Sequence, residues 1–471
     1  MRNHRVETGV THLDRALQGG LPLGSLTLLA GNPGTGKTIL CGEFLHHGAT
    51  LGEEGLYVSL AEGREAFLEY MARLGRDFTK PPAKDHLHVM DLVTVKEEGL
   101  DALVEMMIEH IDGHGIQRLV VDSFTALSNA FTATIDARVT LHILSKILAQ
   151  TSCTTLLVTE VPTGTEHMGL GVEEFVSDGV IHLRRALMNG STLRTLEIAK
   201  MRGTLTERPL SIFTLSHGFN VLPPFTQTAE GSRHPFTPTP DPAEAYSTGN
   251  PGLDSLIGPL RRGDTVYLEL GDDVTPLVPA LIAGTLRANF LAQGRGVLFM
   301  PAGGENVGRI AAFDGRFGLP QGAQRLLRIA TASGNQGHEP AAIRMDPDSL
   351  QRSWGAWAEA ERELTEETGE PTLKMIYVDS LQSNWAGENL GRLLDSESMR
   401  TRDAGGLLML LSRPGDGSLR QHAGNLSHTH LRAVNLQGVI LLQGVKPKTP
   451  LNALNQDDER GYPSYTLTPI Y

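Results

Sequence analysis

The sequence predicts an α/β fold of two tandem domains, each a mostly parallel, twisted sheet flanked by helices. At 471 residues the chain is too long for one ordinary core, since domains average about 150 residues. Apolar strand runs alternate with helical stretches such as 98–112 and 136–150, which is typical of a doubly wound parallel sheet. The opening motif of residues 8–14 also returns at 248–254, and this repeat indicates two copies of one domain.

The two copies continue in the same order. Each has a turn with glycine, a hydrophobic strand, a second strand, and later an apolar strand that ends in Asp-Ser, at 122–123 and 379–380. Between the copies, residues 223–242 hold six prolines and few large apolar side chains, as expected of a linker. We therefore expect a first domain over 1–222, a linker over 223–245 and a second domain over 246–471.

Residues 31–38 fit the phosphate-binding pattern G-x-x-x-x-G-K-[ST] at every fixed position. A buried strand over 26–30 precedes them and a helix follows over 39–47, so the motif has the strand, loop and helix that it requires. Its glycines let backbone N–H groups turn inward towards phosphate oxygens. We expect Lys37 to reach the β- and γ-phosphates of a nucleoside triphosphate and the Thr38 hydroxyl to ligate Mg²⁺. The predicted phosphate-binding residues are Gly31, Asn32, Pro33, Gly34, Thr35, Gly36, Lys37 and Thr38.

Two carboxylates are candidates for the same edge of the first sheet. Asp122 ends a continuous apolar strand, where a Walker B aspartate would hold Mg²⁺ through water. Glu62 follows the strand over 55–60 and is predicted to be the general base that activates water. Each residue has a plainer alternative, because Asp122 can cap the next helix and Glu62 can be a solvated glutamate at a helix start.

Lys200 and Arg202 end a predicted strand two residues apart. Because side chains alternate along a strand, both are expected to project to the same side. Two cations there would suit stabilisation of γ-phosphate charge on a neighbouring subunit, as an arginine finger does. A solvated basic strand end explains the two residues equally well.

The composition argues against several classes of protein. A net charge of −13 argues against a general nucleic-acid surface, since phosphate neutralisation needs clustered Lys and Arg. Cys41 and Cys153 form no Cys-x-x-Cys pair, so we expect buried thiols rather than disulfides or thiolate metal sites. The histidine pairs at 46–47, 86/88 and 428/430 lack the second ligand pair that zinc needs, so we expect exposed histidines.

Membrane and export signals are also missing from the sequence. No stretch approaches the roughly 20 apolar residues of a membrane span, and residues 1–10 lack a signal-peptide core. We therefore expect a cytoplasmic protein without a membrane span.

The first copy resembles the KaiC-like branch of the RecA superfamily over essentially all of residues 4–221. The resemblance rests on Thr8-Gly9 with Leu13-Asp14, on 31–38, Glu62, Asp122-Ser123 and 174–181, and above all on Lys200-Met201-Arg202-Gly203-Thr204. It implies tandem RecA-like P-loop domains that assemble into a homo-oligomeric ring, expected to be a hexamer, with ATP between adjacent first domains. It also implies that Lys200 and Arg202 of one subunit face the nucleotide bound by the next.

Two departures from the family pattern bear on the activity. The family often carries paired glutamates where this chain has Ala61-Glu62, so we expect slow hydrolysis that depends on Glu62 alone. A Ser-Thr phosphorylation pair of the family's kinase domain is replaced here by Glu174-Phe175, which has no hydroxyl group. Kinase activity is therefore not expected.

The second copy has the sequence of a pseudo-ATPase. Its loop over 271–278 lacks the lysine and the Mg²⁺-binding hydroxyl and carries two aspartates that would repel phosphate. The position equivalent to Glu62 falls near Gly303, and no Lys-x-Arg-Gly motif follows the late strand over 439–447. We expect this copy to stiffen the ring or to dock an unidentified partner protein.

These observations favour an ATP-binding, slowly hydrolysing ring ATPase whose nucleotide state controls assembly and partner binding. The alternative is a nucleotide-dependent scaffold or regulator that does not hydrolyse ATP, which Ala61 and the degenerate second copy would fit. A recombinase-like DNA-binding ATPase shares the fold, but the acidic balance and the lack of an appended basic domain argue against it.

Overall fold

The computed structural model divides the chain into two compact units, Met1–Pro223 with Ile470–Tyr471, and Pro224–Pro469. We refer to them as unit 1 and unit 2. The structure describes residues 4–60, 63–92, 100–125, 142, 145–161, 176–226, 234–303, 305, 307–332, 342–413, 417–457 and 459–471. Both units are RecA-like, since each has a large, mostly parallel sheet flanked by helices.

Unit 1 alternates strands and helices up to its sixth strand. The described helices are α1 (Thr11–Ala16), α2 (Lys37–Thr50), α3 (Arg64–Arg73), α4 (Ala83–His86) and α5 (Leu100–His114). The described strands are β1 (Arg5–Val6), β2 (Leu21–Pro22), β3 (Leu26–Gly31), β4 (Gly55–Ser59), β5 (Leu87–Asp91), β6 (Arg118–Asp122), β7 (Thr154–Glu160), β8 (Gly179–Met188), β9 (Ser191–Met201), β10 (Leu210–Thr214) and β11 (Asn220–Val221).

The main sheet of unit 1 has the order β11-β10-β9-β8-β3-β7-β6-β4-β5 among the described strands. Strands β3 to β8 pair in parallel, and β9, β10 and β11 extend the sheet in antiparallel fashion. β3 therefore lies inside the sheet, between β7 and β8. The carboxyl ends of parallel strands meet at one edge, which is where ligands bind in open α/β sheets.

Both faces of the inner strands β3, β4, β6 and β7 are buried, which explains their continuous apolar sequences. In β3 the side chain of Leu29 packs in a cluster with Phe44 of α2, whereas Leu28 packs in a second cluster with Ile111 of α5. Because side chains alternate across a strand, successive leucines serve opposite faces. The strand that leads into residues 31–38 is thereby fixed from both sides.

Unit 2 repeats this arrangement. Its described helices are α6 (Pro251–Ile257), α7 (Leu277–Ala292), α8 (Val307–Gly315), α9 (Leu350–Thr368), α10 (Val378–Asn384), α11 (Leu390–Ala404) and α12 (Gly417–Leu426), with a 3₁₀ helix at Ala323–Leu326. Its described strands are β12 (Ala245–Tyr246), β13 (Leu260–Arg261), β14 (Thr265–Leu270), β15 (Val297–Met300), β16 (Leu327–Ala332), β17 (Ala342–Met345), β18 (Leu373–Tyr377), β19 (Leu407–Ser412), β20 (Thr429–Leu436), β21 (Val439–Lys446), β22 (Asn452–Asp457) and β23 (Ser464–Pro469).

The topology of unit 2 matches that of unit 1, except that β17 is an additional edge strand without a counterpart among the described strands of unit 1. The order among described strands is β17-β16-β15-β18-β19-β14-β20-β21-β22-β23. β14 pairs in parallel with β19 and β20, as β3 pairs with β7 and β8. The internal repeat read in the sequence is therefore a repeat of the fold.

The predicted element bounds mostly hold. The helix expected over 39–47 spans Lys37–Thr50, and the one expected over 98–112 spans Leu100–His114. The strand expected to run through Val378 ends at Tyr377, because Val378 already begins α10. In the helix expected over 136–150, residues 136–141 and 143–144 lie outside the described residues.

The sequence prediction of two buried thiols is confirmed. Cys41 and Cys153 are buried free thiols, and burial raises the pKa of the Cys153 thiol to about 12. In α9, Trp357 is fully buried and Trp354 packs beside it with ring centroids 5.9 Å apart, so the tryptophans belong to the core of unit 2. Among the described residues, no helix is both long enough and apolar enough to span a membrane.

Candidate functional site

The loop over residues 31–38 joins the buried end of β3 to the start of α2. Gly34 and Gly36 have φ values of +74° and +103°, which side-chain-bearing residues rarely adopt. At Gly31 a Cβ atom would lie 2.6 Å from the backbone oxygen of Leu183, so only glycine fits at this position. The first helical residue is Lys37, and the free N–H groups at this end of α2 form the part of the loop suited to anions.

Lys37 folds back over this loop. Its Nζ donates to the backbone oxygens of Gly31, at 2.8 Å, and Asn32, at 3.1 Å. The side chain is buried, and burial lowers the pKa of Lys37, an effect that the charges of Glu160 and Asp122 oppose. The ammonium group thus lies at the mouth of the loop with carbonyl partners that phosphate oxygens could replace.

Asp122 lies beside the start of α2. Its Oδ2 accepts hydrogen bonds from the Thr38 hydroxyl at 2.9 Å and from the Tyr57 hydroxyl at 3.1 Å. Burial raises the pKa of the Asp122 carboxyl, whereas the hydrogen bonds from Thr38 and Tyr57 and the charge of Lys37 lower it. Lys37, Thr38 and Asp122 are therefore brought together at the carboxyl edge of the sheet.

Glu160 is a neighbour of the loop that sequence reasoning missed. It ends β7 and pairs in register with Gly31, and its charge acts on the pKa of Lys37. The sequence contains a feature that could have identified Glu160, because this residue ends an apolar strand in the same way as Asp122 does.

Arg194 was also missed. Its side chain is buried, and its Nη1 donates to the backbone oxygens of Gly34, at 3.0 Å, and Thr35, at 3.4 Å. Burial lowers the pKa of Arg194. Arg194 therefore stabilises the conformation of the loop. Its local sequence on β9 does not predict this long-range contact.

Glu62 lies outside the described residues. The strand before it is placed, since β4 ends at Ser59, opposite Asp122 in register. Leu60 N donates to the backbone oxygen of Asp122 at 2.8 Å. The chain therefore reaches the carboxyl edge two residues before Glu62.

Lys200 and Arg202 lie at the other edge of the same sheet. Met201 pairs with Gly179, which in turn pairs with Thr27 near the start of β3. From Thr27 to Gly31 the strand advances about 13 Å, so the two cations are separated from the loop by the length of β3. Lys200 Nζ donates to the backbone oxygen of Ser177, and Arg202 pairs with Asp178 at 3.0 Å.

The corresponding loop of unit 2 has a different character. Asp272 and Asp273 are exposed in it, and α7 begins at the apolar Leu277 where unit 1 has Lys37. Behind α7 lies a cavity lined in part by Arg287, Glu305, Tyr377 and Arg413, with Arg413 and Glu305 paired at 3.0 Å. Burial raises the pKa of Glu305, and the charge of Arg413 opposes this.

Comparison with known proteins identifies the family. The family model described as "ATPase: KaiC" matches residues 6–224. The circadian clock oscillator protein KaiC of Prochlorococcus marinus (strain MIT 9313) is 30% identical over 314 residues, which cover 64% of this chain and 60% of that protein's length. The UPF0273 protein PH0284 of Pyrococcus horikoshii is 35% identical over 215 residues, which cover 42% of this chain and 86% of that protein.

A solved structure is also similar, that of the KaiC-like protein PH0186 from Pyrococcus horikoshii OT3. It is 31% identical, with 47% of this chain and 99% of that chain covered and a TM-score of 0.42. The match to the archaeal UPF0273 protein extends over most of that protein, and the KaiC family model covers the unit that holds the phosphate-binding loop. The chain belongs to the KaiC family of ATPases.

Proposed function

We propose that unit 1 binds ATP with Mg²⁺ and hydrolyses it slowly at the interfaces of a homo-oligomeric ring, a hexamer, whose nucleotide state controls assembly and partner binding. The observation that carries the proposal is the convergence of Lys37, Thr38 and Asp122 at one edge, with Thr38 Oγ1 2.9 Å from Asp122 Oδ2. These are the side chains that phosphoryl chemistry on a P-loop requires.

The donor set at this edge fits Mg²⁺. The Thr38 hydroxyl and the Asp122 carboxylate offer the hard oxygen ligands that Mg²⁺ prefers, and their short contact places them beside the phosphate loop. Thr38 would ligate the ion directly and Asp122 through water. When bound, Mg²⁺ supplies charge neutralisation for the β- and γ-phosphates.

The chain's own residues would then position and activate the reactants. The backbone N–H groups over 31–38 hold the phosphates, and Lys37 exchanges its contacts with Gly31 and Asn32 for phosphate oxygens. Glu62 accepts the proton of the attacking water, in keeping with its place just beyond β4. Glu160 supports the charge of Lys37 from the neighbouring strand.

Lys200 and Arg202 would act on the nucleotide of an adjacent subunit. Their place at the opposite edge of the sheet supports this, because neither can reach the loop of its own chain while paired at Ser177 and Asp178. Cations that complete a neighbour's site stabilise charge on the transferred phosphoryl group. A head-to-tail contact of this kind gives a ring when the rotation between neighbouring subunits closes.

Unit 2 would take no part in hydrolysis. Its loop presents Asp272 and Asp273, and Leu277 stands where Lys37 stands in unit 1. We propose that this unit stiffens the ring or docks a partner protein. We also propose that the chain does not phosphorylate itself at Glu174-Phe175, because neither side chain has a hydroxyl group. These two residues lie outside the described residues.

Phosphate release from ATP by the purified chain tests this function. Lys37→Ala should abolish ATP binding, measured by equilibrium dialysis, because it removes the cation that contacts phosphate. Glu62→Gln should retain binding and lose turnover, because an amide cannot accept the proton. Turnover of the parent equal to that of Lys37→Ala would support the non-hydrolysing scaffold instead, and equal turnover in the parent and Glu62→Gln would refute the role of Glu62.

A further inference from the structure

Three histidines converge on the surface of unit 1, and none of them belongs to the phosphate site. His88 lies on β5, and His110 and His114 lie one turn apart near the end of α5. One ring nitrogen from each lies within 4.8 Å of those from the other two. The ring centroids of His110 and His114 are 4.1 Å apart and those of His88 and His114 are 4.7 Å apart.

Glu54 orients the strand histidine. Its Oε2 is 2.9 Å from His88 Nε2, and its Oε1 is 2.8 Å from His86 Nδ1. A carboxylate oxygen accepts these hydrogen bonds, so His88 donates from Nε2 and keeps the Nδ1 lone pair free. This carboxylate–imidazole arrangement is the usual support of a metal-bound histidine.

The two histidines of α5 also have ring nitrogens that can bind a metal ion. His114 Nδ1 lies 3.1 Å from the backbone oxygen of His110, so it donates there and leaves the Nε2 lone pair free. His110 Nε2 is buried and has no hydrogen-bond partner within the part of the chain that the structure describes. A buried polar atom without a partner is costly, and a metal ion would satisfy it.

The donor set of the cluster also suits a metal ion. Three imidazole nitrogens match zinc and do not match Mg²⁺, which prefers oxygen ligands, so this cluster is chemically distinct from the Thr38 and Asp122 pair.

We propose that His88, His110 and His114 bind one zinc ion, with water as the fourth ligand. Zinc–nitrogen bonds of about 2.05 Å in tetrahedral geometry place the ligand nitrogens about 3.3 Å apart. The triad must therefore contract, and the exposed side chain of His114 at the end of α5 has the freedom to close on the ion. The bound ion ties β5, which is the last strand of the described sheet, to the helix that packs beside it.

Metal titration of the full-length, untagged chain tests this proposal, in the absence of nucleotide and after treatment with a chelator. Co²⁺ serves as the probe, because tetrahedral Co²⁺ absorbs visible light, and Zn²⁺ is then added to displace it. We expect one metal per chain and a rise in the unfolding temperature with Zn²⁺. His114→Gln should weaken the affinity by more than about 100-fold, and Glu54→Gln by about 10- to 100-fold.

His47→Gln is the matched control. His47 is likewise a unit 1 histidine paired with a carboxylate, that of Glu7 at 2.9 Å, but it is not part of the triad. It should keep the affinity of the parent. The proposal is overturned if the parent binds neither Co²⁺ nor Zn²⁺ at micromolar concentrations, or if His114→Gln and the parent bind Zn²⁺ equally. Neither outcome depends on whether the chain binds ATP.

Discussion

At the scale of single residues, the environment of Asp122 determines how the phosphate site responds to pH. Its carboxylate accepts two hydroxyl hydrogen bonds, from Thr38 and Tyr57, in a buried position. Burial raises the pKa of Asp122, so its protonation occurs at a higher pH than that of an ordinary aspartate. In the proposed site the charged form of Asp122 would hold Mg²⁺, so ATPase activity should fall as the pH drops through that pKa.

Tyr57→Phe should move the acidic limb of the pH–activity profile, where activity falls as the pH drops, to higher pH. The tyrosine hydroxyl stabilises the charged carboxylate, and its removal raises the pKa of Asp122 further. A hydrogen bond to a charged group contributes about 1.5–3 kcal/mol, which corresponds to a shift of at least about one pH unit. The measurement is kcat/KM for ATP against pH.

Tyr267→Phe is the control for that profile. Tyr267 is a buried strand tyrosine of unit 2 whose hydroxyl lies 2.6 Å from Ser412 Oγ. Its loss should leave the acidic limb unchanged. An unshifted limb in Tyr57→Phe would show that Asp122 does not set it.

The residues of the phosphate site were predictable to different degrees. The fixed spacing of the motif and the end of an apolar strand were enough for Lys37, Thr38 and Asp122, because β3 and β6 are parallel and end at one edge. Arg194 could not be found in this way, since its contact with Gly34 joins residues that are 160 positions apart. The cluster of His88, His110 and His114 could not be found from the sequence for a similar reason, because His110 and His114 meet a histidine on a separate strand.

At the scale of elements, one buried arginine fixes α2 to the sheet. Arg118 begins β6 and is 1% exposed. It donates to Glu53 Oε2 at 2.5 Å and to the backbone oxygens of Glu7, at 2.6 Å, and Phe44, at 2.9 Å. A Cβ at Gly48 would lie 2.3 Å from Arg118 Cδ, so the helix can approach only because this residue is glycine.

Arg118→Ala should therefore destabilise unit 1. The substitution leaves Glu53 and two backbone oxygens without their donor and opens a cavity, at a cost of about 3–5 kcal/mol. Urea unfolding followed by circular dichroism measures the change. Arg184→Ala is the comparison, because Arg184 is paired with Glu197 at 2.9 Å but is more than half exposed, and its loss should cost less than about 1 kcal/mol. Equal effects of the two substitutions would contradict the role given to Arg118.

Hydrophobic patterning predicted the existence of the elements better than their ends. α9 begins at Leu350 after the cap Ser349, and both its apolar spacing and its cap are local features of the sequence. The end of β18 at Tyr377 was not visible, since Val378 continues the same apolar run while already belonging to α10. Tertiary packing decides such boundaries, and a single sequence does not contain it.

At the scale of the whole molecule, two copies of one topology differ in their chemistry. β14 holds the central place of β3, yet its loop offers aspartates where β3 leads to a lysine. The duplicated order of strands was predictable from the repeat of residues 8–14 at 248–254. The placement of Lys200 and Arg202 at the edge opposite the phosphate loop required the register of β8 and β9.

That placement leads to the central claim, namely that each active site is completed by the neighbouring subunit. A test mixes two variants of the full chain. Lys37→Ala loses its own phosphate site but keeps the basic strand end, whereas Arg202→Ala keeps the phosphate site and loses an exposed cation paired only with Asp178 among the contacts described. Each variant alone should show greatly reduced phosphate release, since a cation supplied by a neighbour contributes about 10³-fold or more.

Phosphate release by the mixture of the two variants tests whether a neighbouring subunit completes the site. Native mass spectrometry verifies that the two variants co-assemble in the presence of ATP. An equal mixture should regain roughly a quarter of the parent's turnover. In random head-to-tail assembly about half of the subunits have an intact phosphate site, and about half of those face a neighbour with an intact Arg202. The control replaces Lys37→Ala with the double variant Lys37→Ala/Arg202→Ala, which cannot complete any site. Turnover of co-assembled Lys37→Ala and Arg202→Ala no greater than that of this control would contradict a site shared between subunits.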